Sequence, residues 1–400
     1  MKTAAIVYEF PSLSETFVLN QIEGMITAGC DVSIYADNPN PVVKTPEDVA
    51  PLLARVTYFG LPLKQLRESV GNIRSRFPSR EGARSIGRRP SRRFNESGGA
   101  ALRLKFEARA FGKQPSFDVV HAHFGPNGVR AIRLRAMGAL AGPVLTSFYG
   151  YDVGRHWARQ GYDQLFSKGE KFIALSEHMR KTLVSLGCPA ERIIIHRLGL
   201  DPERFSQAHH SGSDRLEVVS IARLVPKKGI EYGIRAVAEL AKRNVRMRYT
   251  IVGHGPLHGR LERIVRELDV QDSVVFAGPM KSESIPGLLA SSDVLLAPSV
   301  TAVDGDAEGT PMAILEGHAA SLPVVSTRHA GIPEIVEENV SGFLVPEGNV
   351  QDLAEKLSLL SESPSRRQSM GAAGRAFVVA NHDIHALNRE LFEIYKNLIR

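Results

Sequence analysis

Two glutamates, Glu308 and Glu316, stand with seven residues between them in the run Glu-Gly-Thr-Pro-Met-Ala-Ile-Leu-Glu. Thr310 suits an N-cap and Pro311 the first helical position, so the run predicts a helix that starts there, with Glu308 and Gly309 in the loop before it. That loop follows a predicted strand that ends near Pro298-Ser299, and in open α/β sheets ligands bind beyond the carboxyl ends of the strands. Main-chain N–H groups at the helix start would face a phosphate, and Gly309 would let a ligand come close. Glu316 lies in the second turn among Met, Ala, Ile and Leu, where a pair of sugar hydroxyls would give a carboxylate its reason. Arg223 and Lys228, in Ala222-Arg-Leu-Val-Pro-Lys-Lys-Gly229, offer a planar fork and a compact charge to phosphate oxygens. Gly253-His-Gly255-Pro256 predicts another turn open to close approach, although the full dinucleotide fingerprint G-x-G-x-x-G is absent.

Positioning these groups requires a particular set of elements. Thr3–Tyr8 reads as a buried strand, a helix carries Phe17, Val18, Ile22, Met25 and Ile26, and Val32–Tyr35 reads as a second strand, which together make a βαβ unit. Ser12 and Glu15 are spaced as a capping box. Strands are expected at 117–121, 144–147 and 171–174, with helices at 127–137 and 177–186. A polar stretch, 206–215, reads as a linker. A second series then puts strands at 216–221, 248–252, 274–276, 294–297 and 323–326, and helices at 230–243, 257–268, 285–289 and 311–319. Residues 350–400 read as mostly helical. Two doubly wound parallel α/β domains with a cleft between them are expected.

The composition agrees with that architecture. Four hundred residues at roughly 150 per domain make two to three domains. With 43% apolar and 23% charged residues the chain is globular in composition, which excludes collagen-like and disordered classes. Two cysteines exclude a disulfide scaffold or a cysteine-rich metal site. No apolar run reaches the ~18–20 residues of a membrane span, and no signal peptide is expected, so the reading is cytoplasmic. The net charge of +7 points to a polyanionic neighbour. Fourteen Lys and Arg against four Glu fall between Lys64 and Lys113, which reads either as a solvated insertion or as an anion-binding segment. Few aromatics in it favour phosphate or lipid headgroups over single-stranded nucleic acid.

Taken together, Arg223…Lys228 and Glu308-x₇-Glu316 resemble the retaining glycosyltransferases of family 4, which have the GT-B fold. Phe10-Pro-Ser-Leu-Ser-Glu-Thr-Phe17, His121-Ala-His-Phe-Gly125 and Ser147-Phe-Tyr-Gly-Tyr-Asp152 resemble the bacterial exopolysaccharide subgroup typified by colanic acid and amylovoran glycosyltransferases. The resemblance implies a hexosyltransferase with a first, acceptor-binding domain over 1–205 and a nucleotide-sugar domain over 216–380. A last helical segment over 381–400 would pack back on the first domain. It implies that Arg223 and Lys228 neutralise the donor diphosphate, Glu316 takes the ribose hydroxyls and Glu308 faces the transferred sugar. Gly253, Gly255, Gly309, Thr310 and Pro311 would line the donor. His123 would stand at the cleft wall near the sugar, with His121 turned to the opposite face as a structural residue. Ser14, Glu15, Asn127, Tyr149 and Asp152 would meet the acceptor, with Asp152 otherwise a cap for Val153 onward. The family's usual His-Gly reads Tyr149-Gly150 here, which leaves position 149 without the family's contact.

The partners implied are a nucleotide-diphosphate sugar and a saccharide, such as a polyprenyl-diphosphate-linked oligosaccharide at an anionic membrane face; no nucleic acid is expected. No cofactor and no metal are expected: Asp304-Gly-Asp306 mimics a metal-binding pair, but positive side chains and a helix start would already neutralise the phosphates. Eight helical steps put Glu308 and Glu316 on the order of 12 Å apart, too far for the paired carboxylates of a double displacement at about 5 Å. The competing readings are a nucleotide-sugar epimerase or phosphorylase on the same fold, a basic nucleic-acid-binding protein and an inactive scaffold. The last two lack, respectively, a nucleic-acid motif and any decay of the charged positions.

Overall fold

In a computed structural model the chain is described over residues 1–12, 15–39, 50–59, 98–111, 116–154, 161–208 and 215–399. Most of the basic segment 64–113, the middle of the 206–215 linker and Ser14 therefore lie outside the described residues. Contacts divide the chain into two compact units. The first is Met1–Thr146 with Ser167–Glu170 and Tyr395–Arg400, and the second is Ser147–Phe166 with Lys171–Ile394.

The first unit opens with β1 (Lys2–Glu9), α1 (Thr16–Thr27) and β2 (Asp31–Asn38). Next come α2 (Ala50–Leu53), β3 (Val56–Tyr58) and α3 (Gly98–Ala110), then β4 (Val119–His123), α4 (Gly125–Ala136) and β5 (Val144–Ser147). Ala4 to Val7 are all buried, as befits a strand covered on both faces of a parallel sheet. Glu15, not Ser12, is the N-cap of α1 and makes no side-chain cap bond, so the capping box read from the spacing does not form. Strand β4 ends at His123, two residues later than its apolar run suggested. Phe124, at φ 73°, turns the chain directly into α4, whose first turn carries Pro126.

The second unit holds α5 (Asp163–Lys168), β6 (Lys171–Ala174), α6 (Glu177–Ser185) and β7 (Ile193–Ile195). Its second alternating series runs β8 (Leu216–Ile221), α7 (Ile230–Lys242), β9 (Met247–Val252), α8 (His258–Glu267), β10 (Val274–Gly278) and α9 (Ile285–Ala290). It continues with β11 (Val294–Ala297), α10 (Met312–Ala319), β12 (Val324–Thr327) and β13 (Gly342–Val345). Three helices close the chain: α11 (Val350–Ser361), α12 (Pro364–Asn381) and α13 (Ile384–Ile399).

The strands form a seven-stranded sheet in the order β3-β2-β1-β4-β5-β6-β7 and a six-stranded sheet in the order β10-β9-β8-β11-β12-β13. Pairing is parallel in both, for example Thr3 with Val32 and with Val119, and Val218 with Tyr249 and with Val294. In the six-stranded sheet adjacent residues serve opposite faces. Val218 and Ile251 join one core with α7 and α11, whereas Val219 and Val252 join another with α10. Three strands escaped the sequence reading: β3, β7 and β13. Each ends a sheet, and β3 and β7 are three residues long, too short for a period to show. Among the described residues no helix is long and apolar enough to cross a membrane.

Candidate functional site

Two lysines of the second unit meet the loop at 300–309. Strand β8 ends at Ile221, and the following turn carries Arg223, Lys227 and Lys228. Lys228 Nζ lies 2.6 Å from Glu308 Oε1, to which Ser299 Oγ also donates at 3.3 Å. Burial alone would raise the Glu308 pKa; Lys228 above all, then Lys227, outweigh it and hold the carboxyl below its ordinary range. Glu308 is thus an ionised group kept in a buried place by its counter-charges.

Lys227 is itself buried and donates to Asp306 Oδ1 at 3.0 Å and to Ala307 O at 3.1 Å. Asp304 Oδ1 accepts the Asp306 N–H at 3.0 Å. Both aspartates of the Asp-Gly-Asp run are therefore engaged in shaping their own loop. Arg223 differs from the two lysines: it is exposed and makes no ion pair among the described residues. Its loop is knitted to the Gly253 turn by Leu224 N–H to His254 O at 3.0 Å.

Helix α10 begins at Met312, one residue later than the spacing suggested. Pro311, not Thr310, is its N-cap, and no side chain caps it. A proline has no side-chain acceptor; the Ile314 N–H turns back to Pro311 O at 3.0 Å, which leaves the N–H groups of Met312 and Ala313 without a partner among the described residues. Glu316, part-buried in the next turn, receives no hydrogen bond from the described residues. Burial pushes its carboxyl up to about 7, partly countered by Arg204.

The glycines lie tight against neighbouring backbone. A Cβ on Gly309 would lie 2.3 Å from Tyr149 O, and one on Gly150, at φ +115°, would lie 2.6 Å from Gly309 N. The 149–150 and 308–309 segments touch main chain to main chain, which only glycine allows. Likewise a Cβ on Gly253 would meet Ala222 O at 1.9 Å and one on Gly255 would meet Leu224 O at 2.4 Å. At these positions the close neighbour is main chain.

Asp152 is fully buried, and its Oδ1 accepts the N–H groups of Tyr149 at 2.9 Å and Gly150 at 3.0 Å. It does not cap Val153, whose N–H goes to Gly150 O at 3.0 Å. Tyr149 is buried as well, and Tyr162 Oη–H donates to Asp152 O at 2.6 Å. The Tyr149-Gly150 loop is thus braced from within.

In the first unit His121 and His123 were expected on opposite faces of their strand. Their rings instead lie 4.1 Å apart, because residues two apart on a strand share a face. His121 Nδ1 is 2.6 Å from Tyr395 Oη. Both histidines border a cavity of ≈ 10 Å³, with Thr3, Gln21 and Tyr395 among its other walls; that is room for about one water. His123 is 1% exposed, and burial pushes its imidazole down to about 3, so the ring is neutral at physiological pH. Asn127 is buried; its amide donates to His123 O at 2.8 Å and accepts from Arg130 at 3.1 Å, which secures the first turn of α4. Glu15 sits at the start of α1 with its N–H on Ser12 O at 3.3 Å.

Four contributors were missed by sequence reasoning. Lys227 and Ser299 were passed over beside residues that were chosen. His329 and Glu347 are separated from Glu308 by elements that only the sheet brings together. His329 Nε2 accepts the Glu308 N–H at 3.0 Å, and His329 Nδ1 lies 2.6 Å from Glu347 Oε1.

Comparison with known proteins covers the regions that hold these positions. Residues 201–377 match the family described as glycosyl transferases group 1, and residues 14–204 match glycosyltransferase family 4. Over its full length the chain is 34% identical to the amylovoran biosynthesis glycosyltransferase AmsK of Erwinia amylovora, covering 100% of both chains. It is equally 34% identical to the putative colanic acid biosynthesis glycosyltransferase WcaL of Escherichia coli K12, again over 100% of both. Among solved structures, Anabaena HepE in complex with UDP-glucose superposes with a TM-score of 0.74 at 18% identity, covering 99% of this chain and 100% of that one. Sucrose-phosphate synthase from Thermosynechococcus elongatus gives a TM-score of 0.73 at 17% identity, covering 100% and 99%. These structural likenesses bear on the fold, two parallel-sheet Rossmann-like domains of the GT-B class.

Proposed function

The chain belongs to the glycosyltransferases of group 1 and family 4, and from that premise we propose that it transfers a sugar, with retention, from a nucleotide-diphosphate sugar to a saccharide in exopolysaccharide assembly. The observation that carries this reading is a division of labour around α10. The uncapped helix start and, in the turn after β8, the exposed Arg223 are available to phosphate, while the Glu316 carboxylate receives no hydrogen bond from the described residues and is available to hydroxyls. Lys228 and Glu308 stand beside them as a tight ion pair.

As the sugar–phosphate bond breaks, negative charge grows on the diphosphate and positive charge on the anomeric carbon. Arg223, Lys228 and the helix start stabilise the first, and this electrostatic term is the largest the site offers. Lys228 already holds Glu308, so a bound diphosphate and the carboxylate share one ammonium. Glu308, ionised and held in place, faces the positive charge on the sugar. The acceptor attacks the same face that the diphosphate leaves, and the departing phosphate oxygen takes the acceptor's proton. Positive side chains do the work of a metal, so turnover is metal-independent in this reading.

The donor base is uridine or guanosine, the nucleosides of the UDP-glucose bound by HepE and of the GDP-mannose named for a Mycolicibacterium smegmatis mannosyltransferase 30% identical over 63% of this chain. A polyprenyl-diphosphate-linked oligosaccharide is the acceptor we favour. The basic segment from Lys64 to Lys113 would then meet an anionic membrane face.

The test is a thermal-shift and isotope-release screen against a panel of UDP- and GDP-sugars, with and without EDTA. Stabilisation by one nucleotide class, with slow EDTA-insensitive release of its sugar to water, is the expected result. Glu308→Ala should lose turnover more than donor affinity, and Arg223→Ala should lose both. Wild-type kinetics in both variants would sink the site assignment, and chelator-sensitive turnover would sink metal independence.

A further inference from the structure

His329 lies in the turn after β12, 21 residues from Glu308, and is 1% exposed. The bond at 3.0 Å from the Glu308 N–H makes Nε2 an acceptor, which leaves the ring proton on Nδ1. Nδ1–H points to Glu347 Oε1 at 2.6 Å. Glu347 in turn accepts the Thr301 N–H through Oε2 at 2.8 Å and the Thr301 hydroxyl through Oε1 at 3.2 Å. One carboxylate thus ties the start of the 300–309 loop directly and its end through an imidazole.

With both nitrogens bonded inside the protein, His329 is in no position to act as a base or to touch a ligand. What it controls is the main chain of Glu308. Lys228 and Ser299 fix the far end of that side chain, yet a carboxylate held only at its tip can follow a shifting backbone. Holding the amide removes that freedom, and a misplacement of about 1 Å at a reacting centre costs on the order of 10²-fold in rate.

We propose that His329, oriented by Glu347, is a positioning residue for glycosyl transfer that holds the Glu308 main chain so that its carboxylate meets the departing sugar. The proposal rests on the reading that Glu308 faces that sugar. It is structurally analogous to the outer hydrogen bonds that orient metal ligands, here applied to a carboxylate through its own amide.

The experiment uses the full chain and four variants: His329→Phe, His329→Gln, Glu347→Ala and the Phe/Ala double. Turnover is read as isotope release from UDP-glucose or GDP-mannose, whichever the wild type uses, and the 300–310 segment is followed by hydrogen exchange. His329→Phe should lower kcat about 10–100-fold with KM changed by less than about 3-fold. Gln, whose amide can accept from Glu308 and donate to Glu347, should restore kcat to within about 5-fold of wild type. Glu347→Ala should cost about 10-fold and add little to His329→Phe, because both act through one chain of bonds. Exchange in 300–310 should quicken in Phe and Ala but not in Gln. Unchanged kcat in a folded His329→Phe, or KM rising as far as kcat falls, would overturn the proposal. If His329→Phe does not fold, the Gln and Glu347→Ala results decide alone: a wild-type kcat in Glu347→Ala overturns it, and the kcat loss with quickened exchange supports it. Failure of the underlying functional reading looks different: the wild type itself would release sugar from neither donor, while the exchange comparison would still report whether His329 holds the loop.

Discussion

Glu308 and Glu316 are the same residue type at two ends of one motif, and the protein treats them oppositely. Around Glu308 two lysines, a serine and a histidine supply charge and hydrogen bonds, so a buried carboxylate stays ionised. Around Glu316 there is burial and only the distant pull of Arg204, so the carboxyl rises to about 7. The difference teaches that burial alone does not decide ionisation; the count of opposing charges does. It also separates two tasks. A carboxylate that must face a growing positive charge is kept charged in advance, whereas one that binds hydroxyls can wait for its ligand to supply the donors.

The contrast can be broken most sharply at Lys228. Lys228→Met leaves Glu308 buried with its main counter-charge gone, and kcat should fall about 10²–10³-fold at pH 7. Part of that loss should recover as pH rises, because the uncompensated carboxyl now titrates higher; a pH–rate profile checks this. A flat profile would mean that Lys228 serves the diphosphate alone.

Gly309→Ala tests the Glu308 side by space instead of charge. Its methyl would sit 2.3 Å from Tyr149 O, so the loop must shift. We expect a loss of about 1–3 kcal/mol, seen as a drop of several degrees in Tm, together with roughly tenfold slower turnover. An unchanged Tm would show that the two backbones do not touch in solution.

The Glu316 side is sharpened by pH. Its ionised form is the one that hydroxyl donors favour, so donor binding releases a proton. Kd should fall as pH rises toward 7 and level off above it, by at most about tenfold per pH unit. Glu316→Gln should abolish that dependence in a titration series. The sign for stability is opposite. A carboxyl raised in the folded state is stabilising only below its unfolded pKa, and that contribution is lost as pH rises through about 7. Glu316→Gln should therefore raise the Tm of the free protein at pH 8 and do less at pH 5. A Tm change of equal size at both pH values would refute the shift.

Much of the architecture was legible because parallel strands and amphipathic helices write their periods into the chain. β5, β6, β8 and β11 fall where their apolar runs end. The boundaries that failed did so for local reasons. β4 runs on past His121 to His123, where a second polar side chain hid its end, and α10 starts at Met312 because Pro311 takes the cap. At the site, Arg223, Lys228, Glu308 and Glu316 could be named from residue type and spacing, since each pair sits where one strand leads into the next helix, β8 into α7 and β11 into α10.

By itself, then, the sequence determined the class of fold, the chemistry available and the identity of four charged groups, because these follow from local periodicity and from what each side chain can donate or accept. Tertiary structure alone decided what each group is paired with. That Glu308 meets Lys228 while Glu316 meets no donor among the described residues, that His329 and Glu347 reach Glu308 across two strands, and that Gly309 lies against Tyr149 all depend on separations that sheet order closes and linear spacing does not encode. Electrostatics and contact act through space, at distances of a few ångströms, so the state of a residue is set by its neighbours in the fold and not by its neighbours in the chain.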